Sequence, residues 1–228
     1  LIRRQRQMCI RDSVGVAVSD SPLGPFIDKG CLIDSKVIGV QNSIDQFFYE
    51  DNGKKYMFWG SFRGIYATEL TDNGLEIKKK TDGTPVLKKR ICGNRFEGTN
   101  IYKRGEYYYL FASIGTCCNG ATSTYQTVVG RSKNVLGPYL DKTGRDMLYD
   151  YCEIIMSGNE TWAGPGHNSI LIQDDVGTDW IIYHGYKKKE AENGRYVLMD
   201  KLIWSNDGWP SVKSNAPSIL EVAPYFQK

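Results

Sequence analysis

The sequence predicts an all-β chain assembled from repeated antiparallel hairpins, and three observations carry that reading. Aromatic residues make up 12% of the 228 positions, with 15 tyrosines and 24 glycines, a mix that suits strands joined by tight turns. Turn pairs recur at Asn52-Gly53, Asn73-Gly74, Asp82-Gly83, Asn119-Gly120, Asn193-Gly194 and Asp207-Gly208, the strongest short hairpin signal a sequence offers. No convincing amphipathic helix interrupts them.

Bulk properties narrow the function classes. With 41% hydrophobic and 24% charged residues, the chain has the composition of a soluble globular protein large enough for one substantial core. A net charge of +3 argues against nucleic acid, and the basic runs Lys78 to Lys80, Lys88 to Arg90 and Lys187 to Lys189 sit beside turn signals as solvated loops. No apolar run reaches the ~18 residues that a membrane helix needs. The charged N-terminus lacks the apolar segment of a signal peptide. Six cysteines show no CxxC spacing, which disfavours zinc, and adjacent Cys117 and Cys118 leave the redox compartment open.

Taken in order, residues 1–13 have no strand or helix period and read as a non-native leader; the domain is placed at 14–228. Val14 to Ser19 alternates as a half-buried strand, and the prolines of SPLGPF then turn the chain. That segment has a second copy: GVAVSDSPLGPFIDKG, from Gly15, matches VVGRSKNVLGPYLDKTG, from Val128. A hairpin with a polar turn and an aromatic return strand occurs as FFYEDNGKKYMFWGS, IYKRGEYYYLFAS and ILIQDDVGTDWIIYHG. The interval of roughly 50 to 70 residues fits a four-stranded propeller blade better than a β-sandwich. Three full blades are expected, starting near Ile44, Glu97 and His167, preceded by the outer part of another over Val14 to Phe26.

In a propeller the polar residues opening each inner strand line an axial pocket. Glu97, followed by Gly98, is poor strand material, so propensity alone does not explain it. Aligned by blade, Asp45, Glu97 and His167 are expected at equivalent positions on that axis. A carboxyl pair of this kind suits glycoside hydrolysis, where one acid protonates the leaving oxygen and a neighbouring carboxylate raises its pKa. Phe47, Phe62 and Trp162 lie near the same face as candidate platforms for sugar rings, although large aromatics more often fill a β core.

The chain resembles glycoside hydrolase family 43, and within it the arabinan endo-1,5-α-L-arabinosidases. The carriers, in order, are VGVAVSDSPLGPF, SIDQFFYEDNGKKYMFWGSFRGI, FEGTNIYKRGEYYYLFASIGTCCNGATSTYQTVVGRS, GPGHNSIL, WIIYHGY and GRYVLMDKLIWSNDGWP. The resemblance implies a five-bladed β-propeller, here an incomplete ring of about three blades plus part of another. It implies an inverting hydrolase of α-1,5-arabinan in plant cell-wall degradation, secreted or periplasmic and monomeric, whose partner is a polysaccharide or oligosaccharide. Glu97 matches the general acid and Asp45 the aspartate that tunes and orients it. His167 matches an axial histidine beside one calcium ion, with no organic cofactor. Arg195 matches an arginine that contacts sugar hydroxyls, and Phe62 is assigned to substrate binding. His184 is expected to pack and hydrogen-bond along its own strand.

Two departures qualify the match. Gln46 stands where the family has proline. The general base, an aspartate opening the first blade, has no counterpart, since Asp12 precedes an outer strand; the chain would then be an N-terminally truncated domain lacking its base. Alternatives are an exo-acting α-L-arabinofuranosidase or β-xylosidase of the same family, or a non-catalytic carbohydrate-binding propeller. A protein-binding scaffold ranks below these, because the tryptophan-aspartate blade signature is missing.

Overall fold

A computed structural model describes residues 13–227. The leader expected over 1–13, Asp12 included, lies outside the described residues except for Ser13, which opens the first strand.

The described chain is all-β, with short helical turns only. Strands β1 (Ser13–Val18) and β2 (Ile27–Asp34) form an antiparallel pair. A four-stranded antiparallel sheet follows from β3 (Phe47–Asp51), β4 (Lys54–Trp59), β5 (Ile65–Glu69) and β6 (Lys89–Cys92), in sequence order. The second sheet repeats that order with β7 (Glu97–Arg104), β8 (Tyr107–Ile114), β9 (Gln126–Ser132) and β10 (Glu153–Met156). In the third, β11 (Trp162–Gly166) and β12 (Ile172–Gln173) both pair with one side of β13 (Asp179–Lys187), while β14 (Arg195–Lys201) pairs with the other. A small ladder of β15 (Ile203–Trp204) and β16 (Pro210–Ser211) completes the set. Among the described residues, no helix is long and apolar enough to cross a membrane.

Period-2 alternation builds the core between the sheets. On β8, Tyr108, Leu110, Ala112 and Ile114 face Tyr56, Phe58 and Ile65 of the first sheet. Tyr109 and Phe111, on the opposite face, meet Ile181 and Tyr183 of the third, with Leu202 just beyond β14. Strand β4 does the same, since Met57 and Trp59 turn away from Phe58 to pack on Val14, Leu32 and Ile33 of the β1–β2 pair. Apolar slabs therefore separate successive sheets.

The repeated Leu-Gly-Pro segments occupy corresponding places, each following the strand next to a sheet's outer edge and each containing a cis Gly-Pro bond. The outer unit predicted over Val14 to Phe26 extends through β2 to Asp34. Of the Asn-Gly and Asp-Gly pairs, only Asn52-Gly53 makes a two-residue hairpin, with φ of 50° and 75°; the others sit in longer connections.

The third sheet corrects one expected boundary. It opens at Trp162, so His167 falls after β11, five residues ahead of β12, rather than at the start of the sheet. The inner strand breaks there for a local reason. Pro165 has no N–H to give a ladder, His167 takes a φ of 49°, and its own N–H goes to Ser113 Oγ at 2.7 Å.

Candidate functional site

Strand register brings the chemistry to one end of the sheets. Glu97, the first residue of β7, pairs with Ser113 near the end of β8, and Gly166 pairs with His184. The β4–β5 turn, the β8–β9 loop and the β13–β14 turn therefore stand at the same end, one from each sheet. Ser61 comes from the first, Tyr125 closes the second, and Arg195 follows the third.

Glu97 is 8% exposed, and both carboxyl oxygens are held. Ser61 Oγ donates to Oε2 at 2.7 Å, and the Tyr125 hydroxyl donates to Oε1. Both partners are fixed from behind. Asn42 Nδ2 donates to the Ser61 carbonyl at 2.7 Å, and the neighbouring Phe62 N–H donates to the Phe96 carbonyl at 2.9 Å. Tyr125 is 1% exposed and its ring stacks on His184 at 5.9 Å between centroids, with an interplanar angle of 13°. Gly166 makes room for it, because a Cβ there would overlap the tyrosine ring. Burial, then the charge of Glu97, pushes the Tyr125 hydroxyl well above the usual tyrosine range, so it stays protonated across the physiological window.

Asp45 stands beside this pair in the first sheet's opening segment. Burial raises its carboxyl above the usual 3.8; the nearby His167 works against that, while the charge of Glu97 adds to it. The Gly98 backbone beside the Asp45 carboxyl works, like His167, to lower it. The expected equivalence of Asp45, Glu97 and His167 is displaced by one residue. The left-handed backbone positions are Asp45 at φ 56°, Gly98 at 64° and His167 at 49°, so Glu97 stands one residue earlier. Aspartate and histidine are among the non-glycine residues that tolerate this conformation. At Gly98 the small residue serves a second purpose, since a Cβ would come within 3.0 Å of the His167 ring. The glycine after the acid thus lets an imidazole lie against the backbone.

His167 is exposed at this end, 6.2 Å from the His184 ring between centroids. Among the described residues no group of three or more His, Cys, Asp or Glu is placed to hold a metal ion. Calcium favours oxygen ligands, and the described side chains here do not form a calcium shell.

Arg195 reaches the cluster through His184, with its guanidinium 3.2 Å from His184 Nε2. An arginine only donates, so Nε2 accepts and Nδ1 carries the proton, buried and without a partner. Burial, then Arg195 and His167, lowers the His184 pKa to about 4, which keeps the ring neutral near pH 7. His184 packs and hydrogen-bonds as expected, but it does so inside the site. Phe62 is half-buried with a φ of 50°, an outlier for so large a side chain. Phe47 packs into the core against Tyr49, and Trp162 packs edge-on to Tyr196.

The arrangement can hold a buried acid beside a second carboxyl, with neutral and cationic donors at the rim. Ser61, Ser113, Tyr125 and His184 are site residues that sequence reasoning misses, because serine, tyrosine and a strand histidine carry no spacing signal. The only clue to them is their presence in the family-like stretches.

Residues 3–210 match the family model for Glycosyl hydrolases family 43. The chain is 35% identical over 217 residues to an extracellular exo-α-(1→5)-L-arabinofuranosidase of Cellvibrio japonicus, covering 88% of this chain and 62% of the relative. It is 35% identical over 203 residues to extracellular endo-α-(1→5)-L-arabinanase 1 of Bacillus subtilis, covering 87% and 60%. Among solved structures, the Cellvibrio cellulosa α-L-arabinanase complexed with arabinohexaose superposes with a TM-score of 0.74 at 33% identity, over 89% of this chain and 69% of that one. The GH43 endo-arabinanase of Bacillus licheniformis gives 0.72 at 29% identity, over 88% and 68%. The chain thus spans 62% and 60% of the length of the two curated relatives.

Proposed function

Because the chain belongs to Glycosyl hydrolases family 43, we propose that it carries the acid side of an extracellular hydrolase that cleaves α-1,5-linked arabinan with inversion. Its sheets then form three blades and the outer half of another in a five-bladed ring. The observation that carries the chemistry is Glu97, a buried carboxyl gripped at both oxygens by Ser61 and Tyr125, with Asp45 beside it.

Glu97 gives its proton to the leaving sugar oxygen as water attacks the anomeric carbon from the opposite face. A hydroxyl accepts as readily as it donates, so Ser61 and Tyr125 hold the carboxyl in place before and after proton transfer. Asp45 stands beside the acid as a second carboxyl, which burial and the charge of Glu97 hold above its usual range. Arg195 and Phe62 contact the sugar at the rim, the first by donated hydrogen bonds and the second by ring stacking. A calcium ion on the axis would stand beside His167. No residue of 13–227 is assigned as the base.

The test is Glu97→Gln in the complete gene product, assayed by reducing-sugar release from linear arabinan. Loss of general acid catalysis lowers kcat by about 10² to 10⁴ while arabinohexaose binding is retained. Retention of most activity refutes the assignment. Product size separates internal cleavage from release at chain ends, a distinction on which the two curated relatives themselves divide.

A further inference from the structure

Cys117 and Cys118 are joined to each other, with Cα atoms 3.8 Å apart as in any pair of neighbours. Such a bond cannot staple the fold. Cross-link stabilisation comes from closing a loop in the unfolded chain and grows with loop length, and here the ring contains only the two bonded residues. Whatever the disulfide does, it does locally.

Its place is informative. The β8–β9 loop begins just after Ser113, which pairs with Glu97, and ends at Tyr125, which bonds to Glu97. The loop therefore springs from the carboxyl site at both ends, and the disulfide lies at most ~13 Å along the chain from Ser113 at the ~3.3 Å rise of extended backbone. Cys118 is exposed and Cys117 half-buried. The loop base is braced by Thr116 and Thr124, whose hydroxyls lie 3.0 Å apart and each accept the other residue's N–H. Asn119 N–H donates to Ser123 Oγ at 2.9 Å, and the tip reaches across to Ala191 of the β13–β14 turn. From Tyr107 to Gly130 there is no Asp, Glu, Lys or Arg. The loop is thus an uncharged segment rich in hydroxyls, with the disulfide at least partly open to solvent.

We propose that the Cys117–Cys118 disulfide is a substrate-contacting surface, whose sulfur face packs on the C–H face of a neutral arabinofuranosyl unit next to the bond being cleaved. Divalent sulfur is soft and polarizable and makes favourable dispersion contacts, and the closed ring keeps that face rigid. The Thr116 and Thr124 hydroxyls flank it as partners for sugar hydroxyls. The proposal rests on the arabinan reading above and names one subsite within it.

The experiment is isothermal titration of the chain with arabinohexaose. It compares the oxidised protein, the double variant Cys117→Ser/Cys118→Ser, and the oxidised protein after dithiothreitol. Cys31, Cys92 and Cys152 are free thiols, so among the described residues the reductant has only this bond to open. The expected result is about tenfold weaker binding in the variant and in the reduced protein. Reoxidation restores it, and the melting temperature stays within about 2 °C. The reduced wild type supplies the same readout should the double variant not fold. Equal affinity in all three forms overturns the subsite and leaves the arabinan reading standing. No binding by the oxidised protein overturns both.

Discussion

Replacing Tyr125 by phenylalanine tests the geometry on which the acid assignment depends. The substitution keeps the ring stacked on His184 and removes one hydroxyl, so the Glu97 oxygen it served, 8% exposed as a residue, loses its partner. Leaving a buried polar group unsatisfied costs about 1–3 kcal/mol, which in a domain of this size lowers the melting temperature by roughly 3–10 °C. The same change in a Glu97→Ala background should cost almost nothing. There the tyrosine hydroxyl is itself the orphan, and removing it relieves as much as it loses. Urea titration of the four proteins at pH 7 gives the coupling, expected to be at least about 1 kcal/mol. A coupling below about 0.5 kcal/mol refutes the claim that this hydroxyl holds Glu97, and the orientation of the acid would then need another source.

The other expectations concern charge. Asp45→Asn should raise stability at pH 7, because burial and Glu97 hold the Asp45 carboxyl above its unfolded value of 3.8, so the ionised form is a cost to the folded state. That gain disappears as the pH falls below 3.8, where both states are protonated, and a gain unchanged at pH 3 would contradict the cause given. The same variant should lose arabinan hydrolysis, since stability and site function pull apart at such positions. The neutral His184 contributes stability that is complete above pH 6.5 and lost as the pH falls towards about 4. His184→Gln removes that dependence, so the wild-type advantage should shrink by at most about 3 kcal/mol between pH 7 and 4, and by less once solvent screening of the partly exposed ring is counted. An advantage that is flat across this window would show that the ring is not held neutral by the fold.

Much of this protein is legible in its residues alone. Strand residues at period 2 and a tight Asn52-Gly53 turn announce antiparallel sheets, and the repeated Leu-Gly-Pro-aromatic segment marks corresponding parts of two of them. Glu97 stands out because a carboxylate followed by glycine is out of character in a strand. The expected start at His167 fails because one inner strand is split. Pro165 and the His167 N–H divert the ladder, and hydropathy patterning does not register where a single amide points.

Chain order alone determined the all-β class, the hairpin repeat and the candidate carboxyls, because those follow from local periodicity and from residue types that fit poorly where they stand. Only the tertiary structure decided which hydroxyls hold Glu97, why Gly98 must be small, and that His184 and the Cys117–Cys118 loop share the site. Ser61 lies 36 residues from Glu97 and Tyr125 lies 28 away, each on a different loop. Their meeting depends on the register and packing of whole sheets, which no local stretch of sequence encodes.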